Sequence, residues 1–209
     1  MTLKEGIARI QGAEHKPGDV LYVDYNNDGK IDNGDNTADN PGDMKVIGNN
    51  KRHYQYGVTA GLGWKNFDVS LFFSGVGQRD MWMSGDMIWP HNSEFGTIYA
   101  HQTDYWTPEN TNAFYPRPRY KKAYNKKTQT KYLSDGSYIR LKNISISYRL
   151  PKELISRVGL SQVKFHVTGE NLWNNNHLAE GMDPEMDGVE YGWNYPFMKK
   201  ISFGANITF

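Results

Sequence analysis

The sequence predicts an all-β fold: antiparallel strands of a transmembrane β-barrel, of which this chain supplies about five, joined by long extracellular loops. Three observations support this prediction. Segments of roughly 11 residues alternate apolar and polar side chains, and a tilted strand of that length crosses a bilayer. The connections between these segments alternate between short turns and long loops, an asymmetry typical of outer-membrane barrels. The chain also contains 14 Tyr, 9 Phe, 6 Trp and 21 Gly, which favours strands and loops over helices.

The composition narrows the possible functions. The 209 residues include no cysteine, which excludes disulfide bonds and thiolate metal sites. Lysine and arginine total 24 against 23 aspartate and glutamate, so no overall charge attracts nucleic acid. The sequence has no apolar run of ~18 residues that could form a membrane-spanning helix. Residues 1–6 lack the apolar core of a signal peptide.

Residues 24–35 have the spacing of a calcium-binding loop. Oxygen-bearing side chains occupy loop positions 1, 3, 5, 9 and 12, Gly29 at position 6 permits a sharp turn, and Lys30 would offer its carbonyl. The spacing therefore predicts a Ca²⁺ cofactor, bound weakly, at Asp24, Asn26, Asp28, Lys30, Asp32 and Asp35. The alternative is a surface turn, rich in asparagine, aspartate and glycine, that holds no ion.

The first pair of strands spans residues 54–64 and 66–76. Along the first strand, the tyrosine, valine, alanine, leucine and tryptophan side chains face one way, and glycine, threonine and glutamine face the other. Aromatic residues stand at both ends of the apolar stripe, as they do in the girdles of membrane barrels. Lys65 and Asn66 form a two-residue hairpin turn, after which Phe67 lies on the apolar face.

Two further strands follow a long irregular segment that prolines interrupt. In the first, residues 138–150, the apolar side chains change parity midway, which predicts a β-bulge near Lys142 and Asn143. Residues 151–159 form a short helix that begins at a proline and ends at a glycine. The second strand, residues 162–172, alternates again.

The last strand, residues 199–209, places isoleucine, phenylalanine and alanine on one face and serine, glycine, asparagine and threonine on the other. Alternation alone fits a half-buried strand of a soluble sheet equally well. The pattern recurs upstream, however, and the long connections at residues 77–137 and 173–198 alternate with short ones at 65–66 and 151–161. This sorting of loop lengths favours the membrane barrel.

Short motifs occur in a distinctive order along the chain. They are residues 24–32 (DYNNDGKID), 105–110 (YWTPEN), 135–143 (DGSYIRLKN), 169–172 (GENL) and 183–185 (DPE), together with the terminal Phe209. In this order they resemble the carboxy-terminal part of SusC/RagA-type TonB-linked, that is TonB-dependent, outer-membrane proteins. The resemblance extends over residues 18–209.

The resemblance implies a place in the outer membrane of a Bacteroidetes-type bacterium, and TonB-energised import of glycans, or of peptides in some members. It also implies a SusD-like lipoprotein partner that acts as a lid. Those proteins have a plug, more strands and a TonB-contacting segment, so the resemblance predicts a fragment that reaches TonB through a missing amino-terminal part. Residues 1–53 then form an extracellular loop region with the calcium-type loop, and residues 54–209 a carboxy-terminal β-barrel segment.

Aromatic residues in the predicted extracellular loops are candidates for stacking on sugar rings or for contacting the lid. They are Trp82, Trp89, Tyr105, Trp106, Tyr115, Trp173 and Trp193. For each of them the alternative is ordinary loop packing or a place in the membrane girdle. The resemblance further implies that Phe209, at the end of the last strand, is a barrel-assembly signal.

Two other classes of function compete with transport. A soluble, calcium-stabilised carbohydrate-binding β-module would explain the metal loop and the aromatic residues but not the sorting of loop lengths. An enzyme is not predicted, because nothing in the sequence fixes a distance between acidic residues such as Asp183 and Glu185. The histidines show no metal-ligand spacing, and no nucleophile motif occurs.

Overall fold

The computed structural model of the chain describes residues 8–10, 12–82, 84–86, 88–90, 96, 98–119, 123–178, 182–186 and 197–209. The chain folds as two compact units. The sheet unit contains residues 49–81, 134–187 and 194–209, and the loop unit contains residues 1–48, 82–133 and 188–193. Residues 82–133 group with the amino-terminal segment in this division. The division into an extracellular loop region, 1–53, and a barrel segment, 54–209, stays a prediction.

The strands and helices of the described residues are mostly long in the sheet unit and short in the loop unit. They are β1 (Arg9–Ile10), β2 (Lys30–Ile31), β3 (His53–Trp64), β4 (Phe67–Gln78), β5 (Asp80–Trp82), β6 (Leu133–Asp135), β7 (Tyr138–Arg149), α1 (Lys152–Ile155), β8 (Gln162–Asn176) and β9 (Lys200–Thr208). Short 3₁₀ helices span Ala100–Thr103, Ala123–Lys126, Thr130–Tyr132 and Ser156–Val158. Within the described residues, no helix has the length and the apolar character needed to cross a membrane.

Five antiparallel strands form one sheet in the order β3–β4–β7–β8–β9. This sheet confirms all five strands that alternation predicted. β8 continues to Asn176, past its predicted end at residue 172. The remaining strands form two small two-stranded sheets, β1 with β2 and β5 with β6.

One face of the five-stranded sheet is continuously apolar. Leu62, Val69, Ile146, Val167 and Phe203 are direct cross-strand partners in a row that crosses all five strands. Leu62 and Phe203, which end this row at the two edges of the sheet, are 71% and 79% exposed, respectively. An exposed apolar surface of this extent is what a bilayer-facing sheet requires.

The opposite face carries small and polar side chains. Gly61, Ser70, Ser145, Thr168 and Ser202 form the neighbouring row, again paired strand by strand. Side chains at successive positions of a strand alternate faces, so the two rows lie on opposite sides of the sheet. This arrangement, apolar outside and polar inside, is that of a membrane barrel wall.

The structure also confirms three local features that the sequence predicts: the hairpin turn, the bulge and the short helix. Trp64 pairs with Phe67 across the turn, where Lys65 adopts a left-handed backbone with φ of 53°. The register of β7 shifts at Lys142, which is the extra residue against β4. Against β8, two residues, Asn171 and Leu172, lie opposite Lys142. The predicted short helix ends at Gly159, whose φ is 75°.

The loop unit contains little regular structure. Residues 18–23 form no strand. Two of the polar groups in this segment bind residues 124 and 125, and not a neighbouring strand. The amide of Val20 donates to the Asn125 side chain at 2.9 Å, and the Tyr22 hydroxyl donates to the Tyr124 carbonyl.

Candidate functional site

An aromatic cluster forms the core of the loop unit. Trp89, Tyr115 and Tyr132 are 3–4% exposed. The Trp89 ring centroid lies 4.7 Å from that of Tyr132, 6.4 Å from that of Tyr115 and 6.3 Å from that of Trp82. Because their rings are covered by one another, Trp89 and Tyr115 have the loop packing that the sequence left open as the alternative to ligand stacking.

Tyr105 and Trp106 lie nearer the surface. Backbone hydrogen bonds link this segment to Tyr115, from the Trp106 amide to the Tyr115 carbonyl and from the Tyr115 amide to the Asp104 carbonyl, both at 3.0 Å. Tyr105 is 37% exposed, whereas the Trp106 ring is half-buried and packs against Gly18. Both residues line a cavity of about 330 Å³ in the loop unit.

The two remaining aromatic candidates are Trp173 and Trp193. Trp173 belongs to β8 in the sheet unit, pairs with Leu141 of β7 and is 49% exposed. It continues the aromatic and apolar face of the sheet, which is the position of a membrane girdle. Trp193 lies outside the described residues.

The calcium-type loop is held by hydrogen bonds from its own backbone amides. The amides of Gly29, Asp28 and Lys30 donate to the side chains of Asp24, Asn26 and Asp28 at 2.9, 3.1 and 2.8 Å, respectively. Gly29 has a φ of 80°, as the predicted sharp turn requires. The loop therefore has the turn that its sequence predicts.

The oxygens of this loop differ in what they contact. Asp24 Oδ1 is buried and has no hydrogen-bond partner within the described residues. Asp32 accepts the Gly34 amide at 2.8 Å, and Asp35 accepts the Asn40 side-chain amide at 2.8 Å. Among the described residues, no three acidic, histidine or cysteine side chains lie close enough together to hold a metal ion as they stand.

A buried ionic network organises the loop unit and was not predicted from the sequence. The Asp19 side chain has no exposed surface and accepts hydrogen bonds from the Lys16 amide at 2.7 Å, Asn125 at 2.9 Å and the Tyr124 hydroxyl at 2.9 Å. Arg119 Nη1 makes an ion pair with it at 2.6 Å. Burial would raise the pKa of Asp19, but these hydrogen bonds lower it below its ordinary value.

The sheet unit has a second buried ionic group, on its polar face. Arg140 of β7 is 2% exposed and makes ion pairs with Asp183 at 2.7 Å and Glu185 at 3.5 Å. Lys142 also binds Glu185, and Arg79 donates to the Pro184 carbonyl at 3.2 Å. Asp183 and Glu185 thus both make ion pairs with basic side chains.

The loop unit also contains a large cleft. Its volume is about 960 Å³, and it is lined by residues drawn from 18–25, 31–33, 43–47 and 126–131, with further residues from 106–116. Trp106 and Tyr115 are the only two of the predicted aromatic candidates among its described lining residues. Trp106 thus lines both this cleft and the smaller cavity.

Comparison with known proteins finds relatives of the chain. No family model matches it. It is 32% identical to TonB-dependent receptor P3 of Formosa agariphila over 222 aligned residues, which cover 98% of this chain and 20% of that protein. TonB-dependent receptor P26 of the same organism is 28% identical over 92% of the chain and 20% of its own length. This chain is a homologue of TonB-dependent receptors. It spans about a fifth of the length of the curated relatives it matches.

Solved structures share the fold of this TonB-dependent receptor homologue. The RagAB peptide transporter matches with a TM-score of 0.59 and 21% identity, over 74% of this chain and 17% of that one. The RagAB peptide importer in its closed-closed state matches with a TM-score of 0.60 and 20% identity, over 83% of this chain and 19% of that one. The five-stranded sheet is thus part of a transmembrane barrel wall, and the homologue is an outer-membrane protein. The relatives are named receptors and transporters, not enzymes.

Proposed function

We propose that the chain forms part of a TonB-dependent transporter that imports nutrients, glycans or peptides, across the outer membrane. The observation that supports this most directly is the sheet, whose apolar row and polar row lie on opposite faces across all five strands. A soluble carbohydrate-binding module would gain nothing from side chains such as Leu62 and Phe203 that are 71% and 79% exposed. The chain itself carries no catalytic role in this proposal.

The proposed partners follow from the same relationship. A SusD-like lipoprotein would act as the lid, and TonB would act through a part of the transporter outside this chain. Within the chain, Tyr105 and Trp106 are the predicted aromatic residues best placed for substrate or lid contact, since Trp89 and Tyr115 are buried. Trp82 packs beside Trp89, and Trp173 lies on the apolar face of the sheet.

Site-directed labelling tests the membrane arrangement. Because the chain has no native cysteine, single cysteines report without background. Asn112→Cys lies in the predicted extracellular loops, and Lys65→Cys lies in the hairpin turn of the sheet. A membrane-impermeant maleimide added to intact cells should label Asn112→Cys, and it should label Lys65→Cys only after the outer membrane is permeabilised. Equal labelling of both in intact cells would contradict the arrangement.

Uptake tests the transport step. A strain in which the gene encoding this chain is deleted should take up less fluorescently labelled oligosaccharide or peptide than its parent. A protonophore, which removes the energy that TonB supplies, should lower uptake in the parent to the level of the deletion strain. Unchanged uptake of both kinds of substrate in the deletion strain would contradict the proposal.

A second proposal is that residues 24–35 bind Ca²⁺. It is supported by Asp24 Oδ1, a buried carboxylate oxygen that has no partner within the described residues. Carboxylate and carbonyl oxygens at this spacing suit calcium. An ion would have to draw Asn26, Asp28, Asp32, Asp35 and the Lys30 carbonyl toward Asp24 to complete its coordination.

Terbium luminescence tests calcium binding, because Tb³⁺ replaces Ca²⁺ and Tyr25 lies within the loop to sensitise it. Tb³⁺ emission should saturate and should fall when Ca²⁺ is added. Asp24→Asn should remove the saturable signal, whereas Asp39→Asn, outside the predicted ligand set, should keep it. Equal signals from the two variants would leave no role for this loop as a specific site.

A further inference from the structure

The connection between β7 and β8 is a short helical segment, which we call the turn helix. It consists of α1 (Lys152–Ile155) and the 3₁₀ helix Ser156–Val158 that follows it. It lies at the same end of the sheet as the hairpin turn between β3 and β4, which reverses the chain with two residues. The turn helix is therefore longer than a reversal of the chain requires.

The turn helix packs on the apolar face of the sheet. Val163 of β8 belongs to this face, because it pairs with Ile207 of β9 and lies four residues before Val167. Ile207 is 53% exposed, yet Val163 is buried. The helix α1 contacts β8, and Ile155 of α1 is buried as well. The turn helix therefore covers one end of the apolar face from its outer side.

Two apolar side chains of the turn helix remain exposed. Leu154 is 59% exposed and Val158 is 70% exposed. Because residues three or four apart lie on the same side of a helical turn, these two side chains are neighbours. They lie beside the covered end of the sheet, so the apolar surface of the bilayer-facing sheet continues onto them.

The aromatic residues at this end of the sheet indicate the depth of the turn helix in the membrane. Trp64, Phe67, Tyr148 and Phe165 are direct cross-strand partners in one row. Rings in such a row lie at the boundary between lipid tails and headgroups. Val163, which the turn helix covers, is two residues beyond this row, or about 7 Å along the strand. The turn helix therefore lies at the level of the lipid headgroups.

The charges of the turn helix suit that level. Lys152 and Arg157 are exposed, and Glu153 is the one acidic residue between positions 150 and 161. At the same end of the sheet, the Lys65 ammonium lies 4.8 Å from the centroid of the Trp64 ring. Lysine and arginine side chains at this depth reach lipid phosphates while their aliphatic stems stay on apolar surface.

We propose that the turn helix is an interfacial anchor. Leu154 and Val158 are immersed where the lipid tails meet the headgroups, and Lys152 and Arg157 bind lipid phosphates. The partner is a lipid surface, because the two apolar side chains continue a face of the sheet that already contacts lipid. By binding at one depth, the anchor fixes how far the sheet extends into the bilayer. The anchor is independent of the transported substrate, so failure of the uptake experiment would leave it standing.

Depth-dependent fluorescence quenching tests the anchor in the protein reconstituted into phospholipid vesicles. Since the chain has no native cysteine, bimane can be attached at single introduced cysteines. Leu154→Cys and Val158→Cys place the label at the proposed anchor. Ser156→Cys, exposed on another side of the same turn, is the matched control, and Val167→Cys marks the middle of the apolar row. The quenchers are phospholipids that carry a doxyl group at carbon 5, which is shallow, or at carbon 12, which is deep.

The shallow quencher should reduce the emission of labels at Leu154→Cys and Val158→Cys about twofold more than that of the label at Ser156→Cys. The deep quencher should act best on the label at Val167→Cys. Quenching at Val167→Cys also reports that the sheet is inserted, so failed insertion cannot account for an unquenched anchor.

A charge reversal tests the contact with phosphates. Lys152→Glu combined with Arg157→Glu should lower the shallow quenching at Val158→Cys by about twofold in vesicles that contain anionic phosphatidylglycerol. In vesicles of zwitterionic phosphatidylcholine the reduction should be smaller, because the lipid surface then has no net charge.

Three outcomes would overturn the inference. The first is shallow quenching at Leu154→Cys and Val158→Cys that is no stronger than at Ser156→Cys. The second is a charge reversal without effect in the anionic vesicles. The third is protection of the two labels from aqueous iodide in isolated outer membranes but not in vesicles, which would assign this surface to a protein partner.

Discussion

The two units of the chain sort polar and apolar groups in opposite ways. In the sheet unit, large apolar side chains such as Leu62 and Phe203 are exposed on one face, at 71% and 79%. In the loop unit, polar groups are among the most deeply buried, since Gln102 and the Asp19 side chain have no exposed surface. A sheet surrounded by lipid gains from apolar groups outside, whereas the loop unit must assemble an interior and satisfy every polar group that it buries there.

The units also differ in which parts of the sequence contact one another. In the sheet, each strand after β3 pairs with the sheet strand that comes before it in the sequence. In the loop unit, Asp19 contacts Arg119 and Asn125, which are 100 and 106 residues away. The sheet is therefore supported by many similar pairings, and the loop unit by a few contacts that are individually important. The following substitutions test that contrast.

The largest effect is expected from Asp19→Ala, which removes the buried carboxylate 2.6 Å from the Arg119 guanidinium and leaves it the exposed Glu14 carboxylate at 3.6 Å. Removing one member of a buried ion pair costs about 3–5 kcal/mol. Hydrogen exchange measured by mass spectrometry should show faster exchange in the peptides covering residues 12–48 and 98–119, and little change in β3–β9. Asp39→Ala, an exposed aspartate in the same unit, is the control. Equal acceleration in both units would show that the sheet depends on this network.

The next effect concerns the face of the sheet. Val167→Arg puts a charge in the middle of the apolar row, at a cost of about 2–4 kcal/mol at the bilayer midplane. Thr168→Arg, at the next position of β8, puts the same charge on the polar face. Unfolding in lipid vesicles should show a large loss of stability for the first variant and a much smaller one for the second. Equal losses would show that the faces are assigned wrongly.

Gly18→Ala should have an intermediate effect in the loop unit. Gly18 has a φ of 89°, and a methyl group there would meet the Trp106 ring. A left-handed backbone at a non-glycine residue costs about 1–3 kcal/mol. Tryptophan fluorescence should shift as the Trp106 ring is displaced, and the melting temperature of the loop unit should fall. Gly12→Ala, where φ is 74° but nothing lies near the added methyl, separates backbone strain from the steric clash.

Acidification should weaken the loop unit by a smaller amount. The hydrogen bonds to Asp19 lower its pKa in the folded state, so its contribution to stability is complete above about pH 4 and is lost as the pH falls through the folded-state pKa. Thermal unfolding between pH 2 and 6 should therefore be steeper with pH for the native chain than for Asp19→Asn. Identical pH dependence would show that another carboxylate controls acid unfolding.

The smallest effect on stability is expected at the last residue. Phe209 lies just after β9 and is 89% exposed, so Phe209→Ala removes little buried area. Phe209 is also the predicted barrel-assembly signal. Its loss should therefore reduce the amount of protein inserted in the outer membrane, while the inserted fraction keeps its heat resistance on gels. Thr208→Ala, on the polar face, should change neither quantity. Equal reductions in insertion would remove the assembly role.

The sheet could be predicted because apolar and polar residues alternate along its strands. Each strand carries its own alternation, and the parity change at Lys142 was enough to locate the bulge. The loop unit could not be predicted in this way, since nothing in the local sequence distinguishes Asp19 from other aspartates or relates it to Arg119. For the same reason, sequence could name Trp89 and Tyr115 as aromatic loop residues but could not show that they form a core.

The strand order has a consequence for the kinetics of folding. β3 and β4 are joined by a two-residue turn, and β7, β8 and β9 also follow one another, so each group can pair early as neighbours in sequence. The seam between β4 and β7 closes the long segment from Arg79 to Ser137, and loop-closure entropy makes it the costlier step. We expect β4–β7 pairing to limit the rate of sheet assembly. A chain halted before that step would expose two ribbons with four unpaired edges to association with other chains.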